Sequence, residues 1–288
     1  MTVNPEFSLA HLTVLGTTPL ELIDIAASAD YDYVSIRATP VAPGEQITPL
    51  AGDPAMVRQV VHRLADTGVR VLDVELARIG PDDEPDAFVE VLEAAAAVGA
   101  RHVIGQLPDP DRARATDHFG RLCELALDHG LTVDLEFPSW SPTGDLASAA
   151  AVVRAVDKVN AGILVDVLHF FRSHSSLDEL TELPNDWFHF VQLCDAPAAD
   201  PATRDDLIQA ARSGRSLPGF GGLPLPQLLD HLPAGPYSLE VPNDVLRREL
   251  GTAEFARLVL TVARTIVAGH GQPAVLDDPR DRPRSLSP

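Results

Sequence analysis

Four short apolar runs between Leu131 and Val241 each carry an oxygen-bearing side chain toward their C-terminal end. They are Leu131–Phe137 with Glu136, Gly162–Phe170 with Asp166 and His169, Phe188–Asp195 with Gln192, and Tyr237–Val241 with Glu240. Segments with helical spacing of apolar residues lie between them. A strand that is apolar on successive residues is buried on both faces. Strands of that kind, alternating with helices, build a parallel sheet wrapped by helices.

The first half repeats the pattern. Strands are predicted at Ser8–Leu15, Tyr33–Arg37, Val69–Ala77 and Arg101–Leu107, and helices at Pro19–Ala29, Pro54–Thr67, Pro85–Val98 and Asp111–His129. Gly68, Gly99 and Gly130 stand where helix C-caps belong. Further on, Asp145 is a suitable N-cap for a helix over Leu146–Val156, and helices are also expected at Leu177–Leu183, Asp206–Ser213 and Thr252–Ala268. Strands six, seven and eight are read as Gly162–Val167, Phe188–Cys194 and Tyr237–Val241. The long segment Ala38–Asp53, rich in Pro, Gly and Thr, is expected to lie over the face where strands end.

About eight β–α alternations in 288 residues favour the α/β class and a closed (β/α)8 TIM barrel, a single domain over residues 1–270. No G-x-G-x-x-G follows the first strand and no Walker loop occurs, which removes the main support for an open nucleotide-binding sheet. Residues 271–288, with prolines and alternating Asp and Arg, read as a flexible or surface-draped tail.

Charge and composition narrow the function classes. The net charge of −20 argues against nucleic acid or an anionic membrane as a partner. No apolar run approaches the roughly 18 residues of a membrane span, and the N-terminus lacks the basic and apolar regions of a secretory signal. Two cysteines, Cys123 and Cys194, make no disulfide framework; buried thiols in a cytoplasmic protein are the expectation.

Barrel enzymes place their chemistry where strands end and the following loops begin. Glu136, Asp166, Gln192 and Glu240 occupy such positions on strands five to eight. Three carboxylates and an amide oxygen suit one divalent ion, Mn²⁺ or Mg²⁺, with Co²⁺ and Zn²⁺ also compatible. Without a cation the carboxylates would repel and some would take up protons. Any one of these acids alone would more simply cap a helix or pair with an arginine. Four on consecutive strands at one depth point to a metal site. His169, three residues after Asp166, is open to three roles: a group behind the ligands, a substrate ligand or a general acid. Arg37, Glu75 and Gln106, near the ends of strands two to four, are candidates for substrate hydroxyls or a polar lining of the mouth. Arg204, Arg212 and Arg215 are candidates for a carboxylate or phosphate, or solvated neighbours of the many acids.

These motifs resemble the xylose isomerase-like TIM-barrel superfamily, in its sugar phosphate isomerase/epimerase branch. The resemblance rests on Glu136, on Asp166-x-x-His169, on Gln192 followed by Asp195, and on Glu240 in the last strand. Members also carry Arg-x-x-Pro-Gly-Glu-Gly before the last strand; here Arg215-Ser-Leu-Pro-Gly-Phe-Gly-Gly222 has Phe220 in place of the glutamate. The resemblance implies a small-molecule substrate with adjacent oxygen atoms, and a homodimer or homotetramer. It implies an isomerase or epimerase of a small sugar, keto-sugar or polyol working through an enediolate, with Glu136 and Glu240 as acid/base pair. The alternative on the same scaffold is a dehydratase of the 3-dehydroshikimate or inosose type, in which His169 and the arginines engage the acid. The DNA-repair endonucleases of the superfamily need extra histidines and a basic face, which this chain lacks. A non-catalytic barrel would have no use for an intact ligand set.

Overall fold

The computed structural model describes residues 4–41 and 45–269, so the tail expected after Gly271 lies outside the described residues. Eight strands run parallel in sequence order around a closed barrel: β1 (Phe7–Ala10), β2 (Tyr33–Arg37), β3 (Arg70–Arg78), β4 (His102–Gln106), β5 (Thr132–Glu136), β6 (Ala161–Asp166), β7 (Val191–Leu193) and β8 (Tyr237–Leu239). The ring closes where β1 pairs with β8, Phe7 against Tyr237 and Leu9 against Leu239.

The helices are α1 (Pro19–Ala29), α2 (Pro54–Thr67), α3 (Val89–Ala97), α4 (Arg112–Asp128), α5 (Leu146–Val156), α6 (Val167–Arg172), α7 (Leu177–Thr181), α8 (Arg204–Ser213), α9 (Leu225–Asp230), α10 (Asp244–Leu250) and α11 (Thr252–Gly269). Their ends follow local chemistry. Thr18 and Glu21 form a reciprocal capping box on α1, and Asp53, Asp111 and Asp145 accept backbone N–H groups at the starts of α2, α4 and α5. Gly68 closes α2 with φ of 77°, the left-handed conformation that a side chain disfavours. No helix among the described residues is long and apolar enough to cross a membrane.

Alternation along the strands divides the core in two. Outward residues such as Val133, Leu135 and Phe137 pack against helix faces, for example Phe119, Leu122 and Cys123 of α4. A smaller cluster of Tyr33, Leu72, Leu76, Ile104, Leu164 and Phe190 fills the barrel interior. Ile104, Leu164 and Phe190 each lie two residues before a polar group at the mouth: Gln106, Asp166 and Gln192. The inward faces therefore change from apolar plug to polar site in one step.

Several expected boundaries move for identifiable reasons. The first strand stops at Ala10, and His11–Val14 form a 3-10 turn. That turn is pinned at both ends: His11 Nδ1 accepts from Arg37 N, and Thr13 Oγ1 donates to Leu239 O. The apolar run after Asp166 is helical rather than a continuation of β6, because the Asp166 carboxylate accepts from His169 N and caps α6. β7 is reduced to three ladder residues. Helices α9 and α10 have no counterpart among the expected elements; at six and seven residues they are too short for a periodic signal.

Candidate metal centre

Glu136 ends β5, Asp166 ends β6, Gln192 sits centrally in β7, and Glu240 follows β8 directly. All four side chains are buried. Glu136, Gln192 and Glu240 line a cavity of about 130 Å³ at the C-terminal mouth, together with Arg37, Glu75, Gln106 and His169. That is below the range of about 300–1,000 Å³ for drug-sized ligand pockets and suits a small substrate. Val41 and Glu45 contribute to its wall, so the segment after β2 does cover this face.

Asp166 stands behind the cavity and is reached through Arg215. The Arg215 guanidinium places Nη1 2.6 Å from Asp166 Oδ2 and Nη2 2.7 Å from Glu240 Oε2, with its Nε donating to Ala211 O at 2.9 Å. Asp166 thus caps α6 with Oδ1 and pairs with Arg215 through Oδ2. Both structural roles are real, and they occur inside the acid cluster rather than instead of it.

The charge sum shows what the cluster still requires. Glu136, Asp166 and Glu240 bring three negative charges and Arg215 one positive, which leaves a deficit of two in a buried volume. Burial, aided by the charge of Asp166, raises the Glu136 carboxyl to about 7. Burial also pushes Glu240 well above the carboxylate range. Against its own burial, Asp166 is held below its ordinary value by Arg215 and by the His169 side chain and backbone. Protons therefore balance charge that a divalent cation would balance equally well. A second observation points the same way. Gln192 Nε2 donates to Glu240 Oε1 at 3.2 Å, and the Gln192 amide oxygen, fully buried, has no hydrogen-bond partner among the described residues. A buried carbonyl oxygen left without a donor is costly unless something electropositive meets it. The donor set therefore fits a hard divalent ion.

Around these four, each remaining side chain has an assignment in the geometry. Gln106 Nε2 donates to Glu136 Oε2 at 2.5 Å and orients that carboxylate. Arg37 is fully engaged, with Nε and Nη2 on Glu75 Oε2 at 2.9 and 2.7 Å and Nη1 on Glu45 at 2.5 Å. Arg37, Glu75 and Gln106 thus form the wall of the site through contacts with one another and with Glu136. His169 is buried with Nε2 3.9 Å from Glu136 Oε1, and Glu136, Asp166 and His169 each offer a ligand-type atom within 4.8 Å of the others. Burial drives its imidazole down to about 4, so it is neutral. Ser139 N donates to its Nδ1 at 3.5 Å, which leaves the ring proton on Nε2, facing Glu136. The edge of Trp140 holds the ring from the side, centroids 4.8 Å apart.

Of the three candidate arginines, Arg215 is buried while Arg204 and Arg212 are exposed. Arg212 reaches the wall of the site cavity; Arg204 lines the adjoining cleft, which shares Arg78, Gln106 and Trp140 with it. Arg78, at the end of β3, is the residue that sequence reasoning missed. Its position three residues after Glu75 on an extended strand was the only signal.

The Arg215 loop is held by Asp195. Its Oδ2 accepts from Gly219 N and Gly221 N, both at 3.0 Å, and its Oδ1 from Leu223 N at 3.1 Å. A Cβ at Gly221 would fall 2.2 Å from the Asp195 carboxylate, so only glycine lets the loop close this tightly. Phe220 packs against the apolar core, and it is not among the described residues lining the cavity.

Residues 23–260 match the family described as xylose isomerase-like TIM barrel. The chain belongs to that family. It is 28% identical over 259 residues to a 3-dehydroshikimate dehydratase of Pseudomonas aeruginosa, and 26% identical over 257 residues to one of Pseudomonas putida. These alignments cover 83% of this chain but 38% of each relative, so the chain spans well under half of their length. The same fold occurs in the IOLI protein solved with a bound zinc atom, at TM-score 0.73 and 17% identity, covering 94% of this chain and 100% of that one. A D-allulose 3-epimerase from Methylomonas sp., solved with D-allulose, superposes at TM-score 0.66 and 16% identity, covering 92% and 98%. Sequence relatives are thus named for dehydration, and proteins that share the fold include one named for epimerisation and one solved with zinc.

Proposed function

We propose that this chain is a metal-dependent dehydratase acting on a small hydroxylated acid of the 3-dehydroshikimate type. The observation that carries the reading is the pair Arg78 and Arg212. Both line the site cavity, and neither forms an ion pair among the described residues, in a chain of net charge −20. Uncompensated guanidinium groups beside a small polar cavity suit a substrate carboxylate. A neutral sugar would offer them hydrogen-bond acceptors but no charge to pair with. The curated relatives, named for 3-dehydroshikimate, support the same substrate class.

Glu136, Asp166, Gln192 and Glu240 would hold the ion, whose contribution when bound is Lewis-acid polarisation of a substrate carbonyl. Glu136 is the base for the carbon-bound proton next to that carbonyl. Gln106 fixes its carboxylate in the orientation from which it takes the proton and returns it. The proton taken from carbon is returned to the departing β-hydroxyl as the carbon–oxygen bond breaks, so water leaves and a double bond remains. His169 offers its Nε2–H to a substrate oxygen, and Trp140 limits the ring's movement.

A second reading, isomerisation or epimerisation of a keto-sugar, is favoured by Glu240. It is a second buried carboxyl with a raised pKa, and it follows β8, three strands round the barrel from β5, which Glu136 ends. Two such groups can address opposite faces of one carbon. Incubation with Mn²⁺ and either 3-dehydroshikimate or a ketose panel separates the readings. The dehydratase reading requires growth of the conjugated acid's ultraviolet absorbance, and a large rise in KM in Arg212→Ala. Carbon–deuterium exchange in ketoses with no turnover of the acid would favour the second.

A further inference from the structure

The N-terminal end of the barrel holds another set of ligand-type side chains that the chemistry above leaves unused. His102 opens β4, Asp134 lies mid-way along β5, and His189 sits two residues before β7. Asp134 is fully buried, and each of its oxygens faces an imidazole: His189 Nδ1 lies 2.6 Å from Oδ1, and His102 Nδ1 lies 3.4 Å from Oδ2. One donor atom from each residue lies within 4.8 Å of the other two. The Thr132 hydroxyl is 2.7 Å from both His102 Nδ1 and Asp134 Oδ2. The two imidazoles stack with centroids 5.3 Å apart, and His102 also rests on the Phe190 ring.

This meeting depends on one missing side chain. β6 runs between β5 and β7, and Gly162 is the β6 residue paired with Asp134. A Cβ at Gly162 would lie 2.4 Å from Asp134 Oδ1 and 2.7 Å from His189 Nδ1. Any other residue there would part the carboxylate from the imidazole.

We propose that His102, Asp134 and His189 form a second metal site, which takes one divalent transition-metal ion of the zinc class at the N-terminal mouth. Two imidazole nitrogens and a carboxylate oxygen match the donors of tetrahedral zinc, with Thr132 or water as the fourth. Donors around such an ion stand about 3.4 Å apart, so the three groups need only a small closing movement. Imidazole selects against Mg²⁺ and Mn²⁺, so the two ends of the barrel prefer different ions. The sites are distinct: Asp134 and Glu136 are two residues apart on one face of β5, about 6.6 Å. On β4, Ile104 separates His102 from Gln106. His189 keeps 23% of its side chain exposed, which gives the ion a way in. Tying β4, β5 and the entry to β7 together is a stabilising role, in keeping with the N-terminal face of barrels.

Zinc stoichiometry tests this on the purified chain after equilibrium dialysis. The His102→Gln/His189→Gln variant should bind one zinc fewer per chain than wild type while keeping its far-ultraviolet circular dichroism and its Mn²⁺ binding. Equal stoichiometry in the two proteins overturns the site and leaves a hydrogen-bonded His–Asp–His network. Should that variant fail to fold, Co²⁺ loaded into Glu136→Ala decides instead. Intense visible bands of a tetrahedral, nitrogen-ligated ion support the site, and their absence overturns it.

Discussion

Arg215 Nη1 lies 2.6 Å from Asp166 Oδ2, with both side chains closed off from solvent. The other nitrogen of the same guanidinium reaches Glu240, so a single cation bridges the ends of β6 and β8 behind the cavity. Asp166 is thereby kept charged and in place, while Glu136 and Glu240 line the cavity.

Arg215→Met should therefore destabilise the fold strongly. Breaking a buried pair by removing one partner typically costs about 3–5 kcal/mol, because the remaining charge is left uncompensated. Urea unfolding at neutral pH measures it. Added Mn²⁺ should restore part of the loss by supplying positive charge to the same acids. Unchanged stability in the variant would contradict the ion-pair account.

Glu240→Gln preserves shape and can still accept from Arg215, so circular dichroism should be unchanged. Turnover should be abolished and Mn²⁺ affinity weakened, since one charged donor is lost. Wild-type activity in this variant would remove Glu240 from the site.

His169→Ala should lower kcat by about 10²–10³, the usual span for losing one hydrogen-bond donor aimed at developing charge, without releasing the metal. The neutral imidazole faces Glu136 with Nε2 3.9 Å from its carboxylate. Metal lost together with activity would make His169 a direct ligand, a role open to it because it groups with Glu136 and Asp166.

Acid sensitivity should trace in part to His11. Arg37 N donates to its Nδ1 at 3.1 Å and its Nε2 donates to Thr17 O at 3.0 Å, so both ring positions are committed to the neutral form. Burial depresses it below its ordinary 6.5. The unfolded chain then binds the extra proton first. Stability from this group is complete above about pH 6.5 and declines as pH falls through that value toward the depressed one, by up to about 1.4 kcal/mol per unit. Urea unfolding at pH 8 and 5.5 should show a smaller acid loss in His11→Gln than in wild type; equal losses would exclude His11 as a cause.

Much of this architecture was legible because it depends on local patterns. The run Thr132–Glu136 could hardly be anything but a buried strand ending in an acid, and Asp145 before an Ala-rich stretch announced α5. The sequence order of Glu136, Asp166, Gln192 and Glu240 on successive strands already indicated a shared mouth. What local pattern could not show was set by tertiary pairing. Arg215 lies in a Ser, Pro and Gly loop with no period, and its burial follows from Asp195 holding that loop across the strand end. Likewise the short helix after β6 had no periodic signal, and it starts where Asp166 caps it. Arg78 gave no sign of its reach because strand residues signal depth only after register is known.

The most direct test of the account is Mn²⁺ binding to the purified chain, followed by electron paramagnetic resonance, in wild type and Glu136→Ala. The account predicts about one tightly held Mn²⁺ per wild-type chain and none at the same concentration in the variant. A wild-type chain that binds no Mn²⁺, or a variant that binds it equally well, would contradict the metal centre and the chemistry built on it.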